Sequence, residues 1–272
     1  MKKLFTSACA LMTVSFAFAQ GNLDVTSQYG NLNSAVVNQT GMMNDNDLTQ
    51  DGNRNQATVD QTGTLNMNVA LSQGNRNRID VDQVGIGNYN STEQYGNRNR
   101  ATTDLDSWLN SVEQLQIGNR NRATATQDGL INEASQIQVG NRNRAEITQD
   151  GVGNYAYQDQ SGNRNQATGL QVGWFNELYQ IQDGNRNSAD HTQVGDGNLA
   201  VSWQVGNDNE TIGWSQGDNN TIYQLQGGDR NFADDYQVGN NNYADVLQIG
   251  SDHMHFGTQI GNGNSIITTQ SN

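Results

Sequence analysis

Seven copies of Gly-Asn-Arg-Asn begin at residues 52, 74, 96, 118, 140, 162 and 184, each 22 residues after the last. A chain that spells one turn at one interval, with no insertion to break the phase, must put each copy at the same place in a repeated unit. Half that interval is the true period. Counted from a Gln at position 0, the sequence reads Q-x-G-x-x-N-x-A-x-x-x and then restarts, a period of 11. The Gln slots run from 28 to 270 and hold Gln in 20 of 23 cases, with Ser72, Leu105 and Ser215 as the exceptions. The Gly slot fails once in 22, at Ser107, and the Asn slot once in 23, at His253.

From Asn at +5 to the next Gln at +11 the restricted positions fall on every second residue, which argues strand rather than helix. Positions +1 to +4 carry Gly, Asn and Asp, the residues of tight turns. One unit is therefore a strand and a turn, and two units make one rung. The expected fold class is all-β, a single β-solenoid with cross-β stacking of about eleven rungs spaced ~4.8 Å apart. The Gly at +2 is expected in a left-handed turn geometry. Stacked amides are expected to hydrogen-bond up the axis as ladders. For the central units that structural ladder comprises Gln116, Gly118, Asn121, Ala123, Gln127, Gln149, Gly151, Asn154, Ala156 and Gln160.

Composition supports an array and not an oily globule. Only 33% of residues are hydrophobic, 30 are Gly and none is Pro, which would remove a ladder donor. Residues 1–19 read as a signal peptide: Lys2 and Lys3, an apolar run from Leu11, and Ala17-Phe18-Ala19 as the cleavage site. Residues 20–272 form the repeat domain. Cys9, the only cysteine, leaves with the signal, so no disulfide is expected. The mature chain keeps 12 Arg against 28 Asp plus Glu, a formal charge of −16. That balance opposes nucleic-acid recognition. No cofactor or metal is expected.

The unit Gln149-Asp150-Gly151-Val152-Gly153-Asn154-Tyr155-Ala156-Tyr157-Gln158-Asp159-Gln160 resembles the curlin repeat, and Gln193 to Gln204 spells it again with Gly195, Gly197, Asn198 and Ala200. The likeness extends over residues 22–270. It implies a secreted, extracellular subunit of curli, the amyloid fibres of bacterial biofilms, found on the cell surface as fimbriae. The resemblance further implies the chain itself as homopolymer partner, another curli subunit or nucleator, and export through an outer-membrane curli-type pore. Strands 22–28 (Asn22 to Gln28) and 264–270 (Asn264 to Gln270) keep the repeat letters and are expected to polymerise end to end.

Two edges differ. Arg54, Arg76, Arg98, Arg120, Arg142, Arg164 and Arg186 occupy every second turn and should stack on one edge. Spaced by one rung, hydrated neighbours repel by roughly 1 kcal/mol. Such a ladder is either a solvated gatekeeper against wrong stacking or a binding line for anionic matrix polymers. The alternate turns carry Leu65, Trp108, Leu109, Leu130, Ile131, Trp174 and Phe175. An apolar lateral face is expected from Leu115, Ile137, Ile181, Trp203, Leu225 and Leu247, suited to bundling or adhesion. His253 and His255 are expected to point inward, as drift near a terminus; two alternate histidines are a weak metal signal. An enzyme is disfavoured, because no catalytic cluster breaks the repeat. A monomeric secreted β-solenoid that binds carbohydrate or another surface is the alternative function.

Overall fold

The computed structural model describes residues 21–272, so the segment read as a signal peptide lies outside the described residues. Twenty-three strands follow in chain order from β1 (Leu23–Asn31) to β23 (Ser265–Ser271). Odd-numbered strands build a twelve-stranded parallel sheet, sheet I, and even-numbered strands an eleven-stranded one, sheet II. Each strand pairs with the strand one rung on, in a register that aligns identical slots. Thus β10 (Arg122–Leu130) meets β12 (Arg144–Val152) with Ala123 on Ala145, Gln127 on Gln149 and Gly129 on Gly151. The chain is a two-sheet β-solenoid, as its period implies.

The strands differ from the expected Asn-to-Gln span. Most are nine residues long, start one residue after the Asn, and run on past the Gln and Gly to +3. The turn shrinks to positions +4 and +5. Two backbone features make this possible. The Gly at +2 keeps its place in the ladder with φ between 102 and 130°, as at Gly30 and Gly151. The expected left-handed φ is thus present at +2, but in a strand and not in a turn. The corner of the turn itself sits at +4, mostly on residues other than Gly: Arg54, Leu65, Arg76 and Ile131 all have φ of 58 or 59°. A non-Gly residue in that region costs roughly 1–2 kcal/mol. The cost is offset because bonding never lapses at the corner: Arg76 N donates to Asn53 O at 2.9 Å, and Arg100 N to Asn121 O at 2.9 Å.

A second constraint fixes the glycine. A Cβ on Gly118 would overlap the carbonyl oxygen of Gly140 on the next rung, and the same holds for Gly140 against Gly162. Both the φ angle and the close approach exclude side chains there. Ser107, the one exception, sits at φ 84°.

Between the sheets lies a thin core of Ala at +7 and mixed residues at +9. Leu105, Val112, Ala125, Ala134, Ile147, Ala156, Leu178 and Ala200 form one buried cluster, and Leu48, Ala57, Val59, Ala70, Ile79 and Val81 another. Large faces small across the gap: a Cβ on Gly169 would overlap Leu178.

The ladder has a direction, and its faults follow from it. Each Gln Nε2 donates to the Gln Oε1 one rung ahead, as Gln127 to Gln149 at 2.6 Å and Gln149 to Gln171 at 2.8 Å. Where Ser72 or Leu105 replaces Gln, the next oxygen up, on Gln94 or Gln127, is buried without a donor, and the Ser72 hydroxyl is unpartnered too. An orphaned buried polar atom costs about 1–3 kcal/mol. Ser72→Gln should therefore stabilise the folded chain by about 2 kcal/mol. The check is a higher guanidinium midpoint at unchanged denaturant slope; an unchanged or lower midpoint would contradict the directional ladder.

Candidate functional surfaces

The internal ladders position every surface. Asn121 shows the role of the +5 slot. Its backbone N donates to Asn99 Oδ1 at 3.0 Å, its Nδ2 to Ile117 O at 3.2 Å and to Gly140 O at 2.9 Å, and its own Oδ1 receives Asn143 N at 3.0 Å. One residue thus ties together three successive corners, its backbone N bonded to the corner before and its side chain to its own corner and the one after. Asn154 repeats this with Asn132, Gly173 and Asn176. Gln116 donates to Gln138 at 2.8 Å and across the core to Arg100 O at 3.0 Å, and Gln160 does the same to Gln182 and Arg144 O. Ala123 and Ala156 are fully buried. Gly118 and Gly151 are not core residues: they are half-buried near strand ends, with φ of 116 and 130°.

Two further amide columns were not singled out from the sequence. Gln114, Gln136, Gln158 and Gln180 stack at +9 of sheet I with bonds of 2.7–2.9 Å. Asn46, Asn68 and Asn90 stack at +7 with bonds of 2.7 Å. The signal was present as Gln or Asn recurring at 22, but only in part of the chain, where it merged with the variable letters of those slots.

At the two ends of the array, Gln28 donates to Gln50 at 2.8 Å, and Gln270 accepts from Gln248 at 2.7 Å. Asn22 and Asn264 stand just outside the strands, as corner residues. Asn22 Oδ1 accepts from Asn44 N at 2.9 Å, and Asn264 N donates to Asn242 Oδ1 at 3.1 Å.

The seven arginines from Arg54 to Arg186 fall on one edge, where sheet I turns into sheet II. A groove of about 1290 Å3 runs along it from Asn31 to Arg230. Beside the arginines the +3 asparagines form an exposed ladder of their own, with Asn53, Asn75, Asn97 and Asn119 linked at 3.0 Å. The guanidinium column is thus carried on a backbone braced by amides on both sides of each Arg. Among the described residues Arg54, Arg76, Arg98, Arg120, Arg142 and Arg164 make no ion pair. Further along, the sign alternates. Arg186 holds Asp208 through two bonds of 2.5 Å, and Arg230 holds Asp252 through two of 2.7 Å. Those bonds lower the carboxyl pKa of Asp208 and of Asp252. A second Arg column, Arg78, Arg100, Arg122 and Arg144, lies two residues further on and in register.

The opposite edge is apolar. Leu65, Trp108, Leu109, Ile131, Trp174 and Phe175 are all more than half exposed. Leu109 and the Phe175 ring lean over the corner glycines Gly87 and Gly153, which leave space for them. On the outer face of sheet I, Leu115 stacks on Ile137, and Ile181, Trp203, Leu225 and Leu247 stack in turn. Asp159 separates the two blocks, paired in register with both Ile137 and Ile181. The apolar face is therefore two patches, with Trp203 its most exposed member at 49%.

Among the described residues no three His, Cys, Asp or Glu side chains converge on a metal position. His253 is half-buried, its Nε2 3.1 Å from Ile249 O. His255 is buried, its Nε2 3.0 Å from Oδ1 of the buried Asp235, while Gln224 Nε2 donates to Asp235 Oδ2 at 2.9 Å. His191, Gly213, Asp235 and Gly257 stack as one column in sheet II. A Cβ on Gly213 would strike the His191 ring, and one on Gly257 the Asp235 carboxylate, so each bulky group lies over a glycine. The His191 ring is buried with both nitrogens unpartnered. Burial pushes its pKa down to about 4, against a smaller upward pull from Asp235.

A histidine whose folded pKa lies below its unfolded value leaves stability intact above the unfolded pKa. Stability is then lost as pH falls toward the folded one. Between pH 6.5 and about 4 His191 should remove up to about 3 kcal/mol. Denaturation series across that range should show the slope, and His191→Gln should flatten it. An identical pH profile in the variant would contradict the buried neutral imidazole.

The curlin-associated repeat model matches residues 25–52, 140–168, 184–212 and 228–255. No curated protein matches the chain.

Proposed function

The chain belongs to the curlin-repeat family, and from that premise we propose that it is a structural subunit of extracellular curli-like amyloid fibres, polymerising end to end. The observation that carries this reading is the in-register ladder itself. Among the described residues sheet I ends in β1 and β23, and sheet II in β2 (Ser34–Met42) and β22 (Met254–Ile260). Each of these strands has one unpaired edge, and unpaired edges are templates for another chain. The end strands also keep the ladder letters, Gln28 at one end and Gln270 at the other, so an added copy can continue both the backbone and the amide bonding.

In this reading the partner is the chain itself, joined by a nucleating subunit and served by an outer-membrane secretion pore. The fibre is a cell-surface component of a biofilm matrix. The apolar edge and the two patches of sheet I serve adhesion, because contiguous exposed apolar surface marks contacts. The Arg edge, a cationic line on an acidic molecule, keeps identical edges apart and is available to anionic matrix polymers. No chemistry is assigned to the chain.

The test is growth of the mature chain, residues 20–272, on dilution from denaturant. Sigmoidal thioflavin kinetics, a lag abolished by preformed fibres, and reflections near 4.7 and 10 Å are expected. Removing residues 262–272 should slow elongation from seeds. A stable β-rich monomer that never seeds would contradict the fibre reading and favour a monomeric binding solenoid.

A further inference from the structure

The outer face of sheet II is divided by charge. One border carries the column Arg78, Arg100, Arg122 and Arg144, stacked rung on rung. The other border carries Asp60, Asp82 and Asp104 at +10, and then Asp106, Asp128 and Asp150 at +12. Between them lie Thr102, Thr124, Thr126 and Thr148, with the acidic Asp80 and Glu146 in the same column as Thr102 and Thr124.

Among the described residues neither column is fully neutralised within the molecule. On one strand the two borders stand four to six residues apart, about 13–20 Å at 3.3 Å per residue, which is beyond side-chain reach. Arg78 and Arg144 make exposed pairs with Asp80 and Glu146, but Arg100 and Arg122 make none. On the acidic border the pKa values of Asp82 and Asp104 are raised, first by partial burial and then by neighbouring carboxylates. Each column stacks like charges one rung apart, and each is short of the opposite sign.

We propose that this face is a self-pairing surface. Its partner is a second copy of the chain lying parallel to the first, face to face, and turned half a revolution about the long axis. That operation sets the Arg border of each copy against the Asp border of the other and keeps every rung at the same height. The antiparallel alternative, a two-fold axis across the solenoid, lays Arg on Arg and Asp on Asp. Charge alone therefore selects one polarity. The face is a poorer fit for an anionic polymer, because the acidic border repels it and the whole chain carries a formal charge of −14. The inference adds a lateral partner to the fibre reading but stands on this face alone. Soluble solenoids would pair as dimers, and fibres as doublets.

Two exposed double substitutions test it in the full mature chain: Arg100→Asp with Arg122→Asp, and Asp104→Arg with Asp128→Arg. Pairing is read by sedimentation for soluble chain and by cryo-electron microscopy for fibres. The unsubstituted chain should pair with parallel polarity at low salt and separate near 1 M salt, where the screening length falls to about 3 Å. Each variant alone should pair at least roughly tenfold more weakly, since like charges then meet across the face. An equimolar mixture of the two should recover pairing. Variants that pair as well as the original, a mixture that does not recover, or antiparallel pairs would overturn the proposal. So would an original chain that stays single while its arginines capture alginate or single-stranded DNA. Thioflavin growth is followed in parallel: its loss in all samples would count against the fibre reading, while the soluble-pair result would still decide this one.

Discussion

Everything in this molecule depends on side-chain amides bonded to their own copies one rung away. Buried amides are costly unless every donor and acceptor is served. Here most are served by a neighbour of identical kind at an offset of 22 residues. That requirement fixes the register, since a slip of one residue would turn each Gln outward and leave its partners bare. It also explains how a chain so poor in apolar residues holds a core. The apolar slots fill space, while the amides specify position.

Two backbone conditions make the ladder possible. The glycine at +2 lets successive backbones come closer than any Cβ permits. The corner at +4 accepts left-handed geometry even on Arg, Leu and Phe, because the amide column beside it holds the chain in place. Once the interior and corners are fixed, the outer slots are free to vary. They carry what distinguishes the surfaces: cations on one edge, apolar side chains on the other, and a face of sheet II divided by sign. Function in such a fold is decided by which letters recur at 22 and not at 11.

Much of this was legible in the residues. The Gln, Gly and Asn slots announced the period, and the 22-residue spacing of Gly-Asn-Arg-Asn announced the two-strand rung and the stacking of Arg54 to Arg186. Strand limits were less legible, because letter frequency cannot separate a residue that is restricted for turning from one that is restricted for ladder bonding. Asn is a corner residue with a structural side chain, and Gly is a strand residue with an unusual φ, which reverses the expected roles. The orphaned oxygens of Gln94 and Gln127 follow from the direction of the ladder, which no single sequence reveals. The pairing of His255 with Asp235 needed the third dimension, since those side chains sit in different slots of neighbouring rungs. The second Arg column was in plain sight as the final Arg of Asn-Arg-Asn-Arg, but its meaning depends on the Asp border across the same face.

The most direct test of the account is whether the amide ladder is built within one chain. Gln127 and Gln149 side chains should give a short amide-to-amide contact in solid-state NMR of uniformly labelled protein, in keeping with their 2.6 Å bond. Diluting the labelled chain into an excess of unlabelled chain should leave that contact undiminished, because both residues belong to one coil. A contact that fades on dilution, or one that joins Gln127 to Gln127 of another copy, would mean flat stacking of separate chains and would contradict the solenoid.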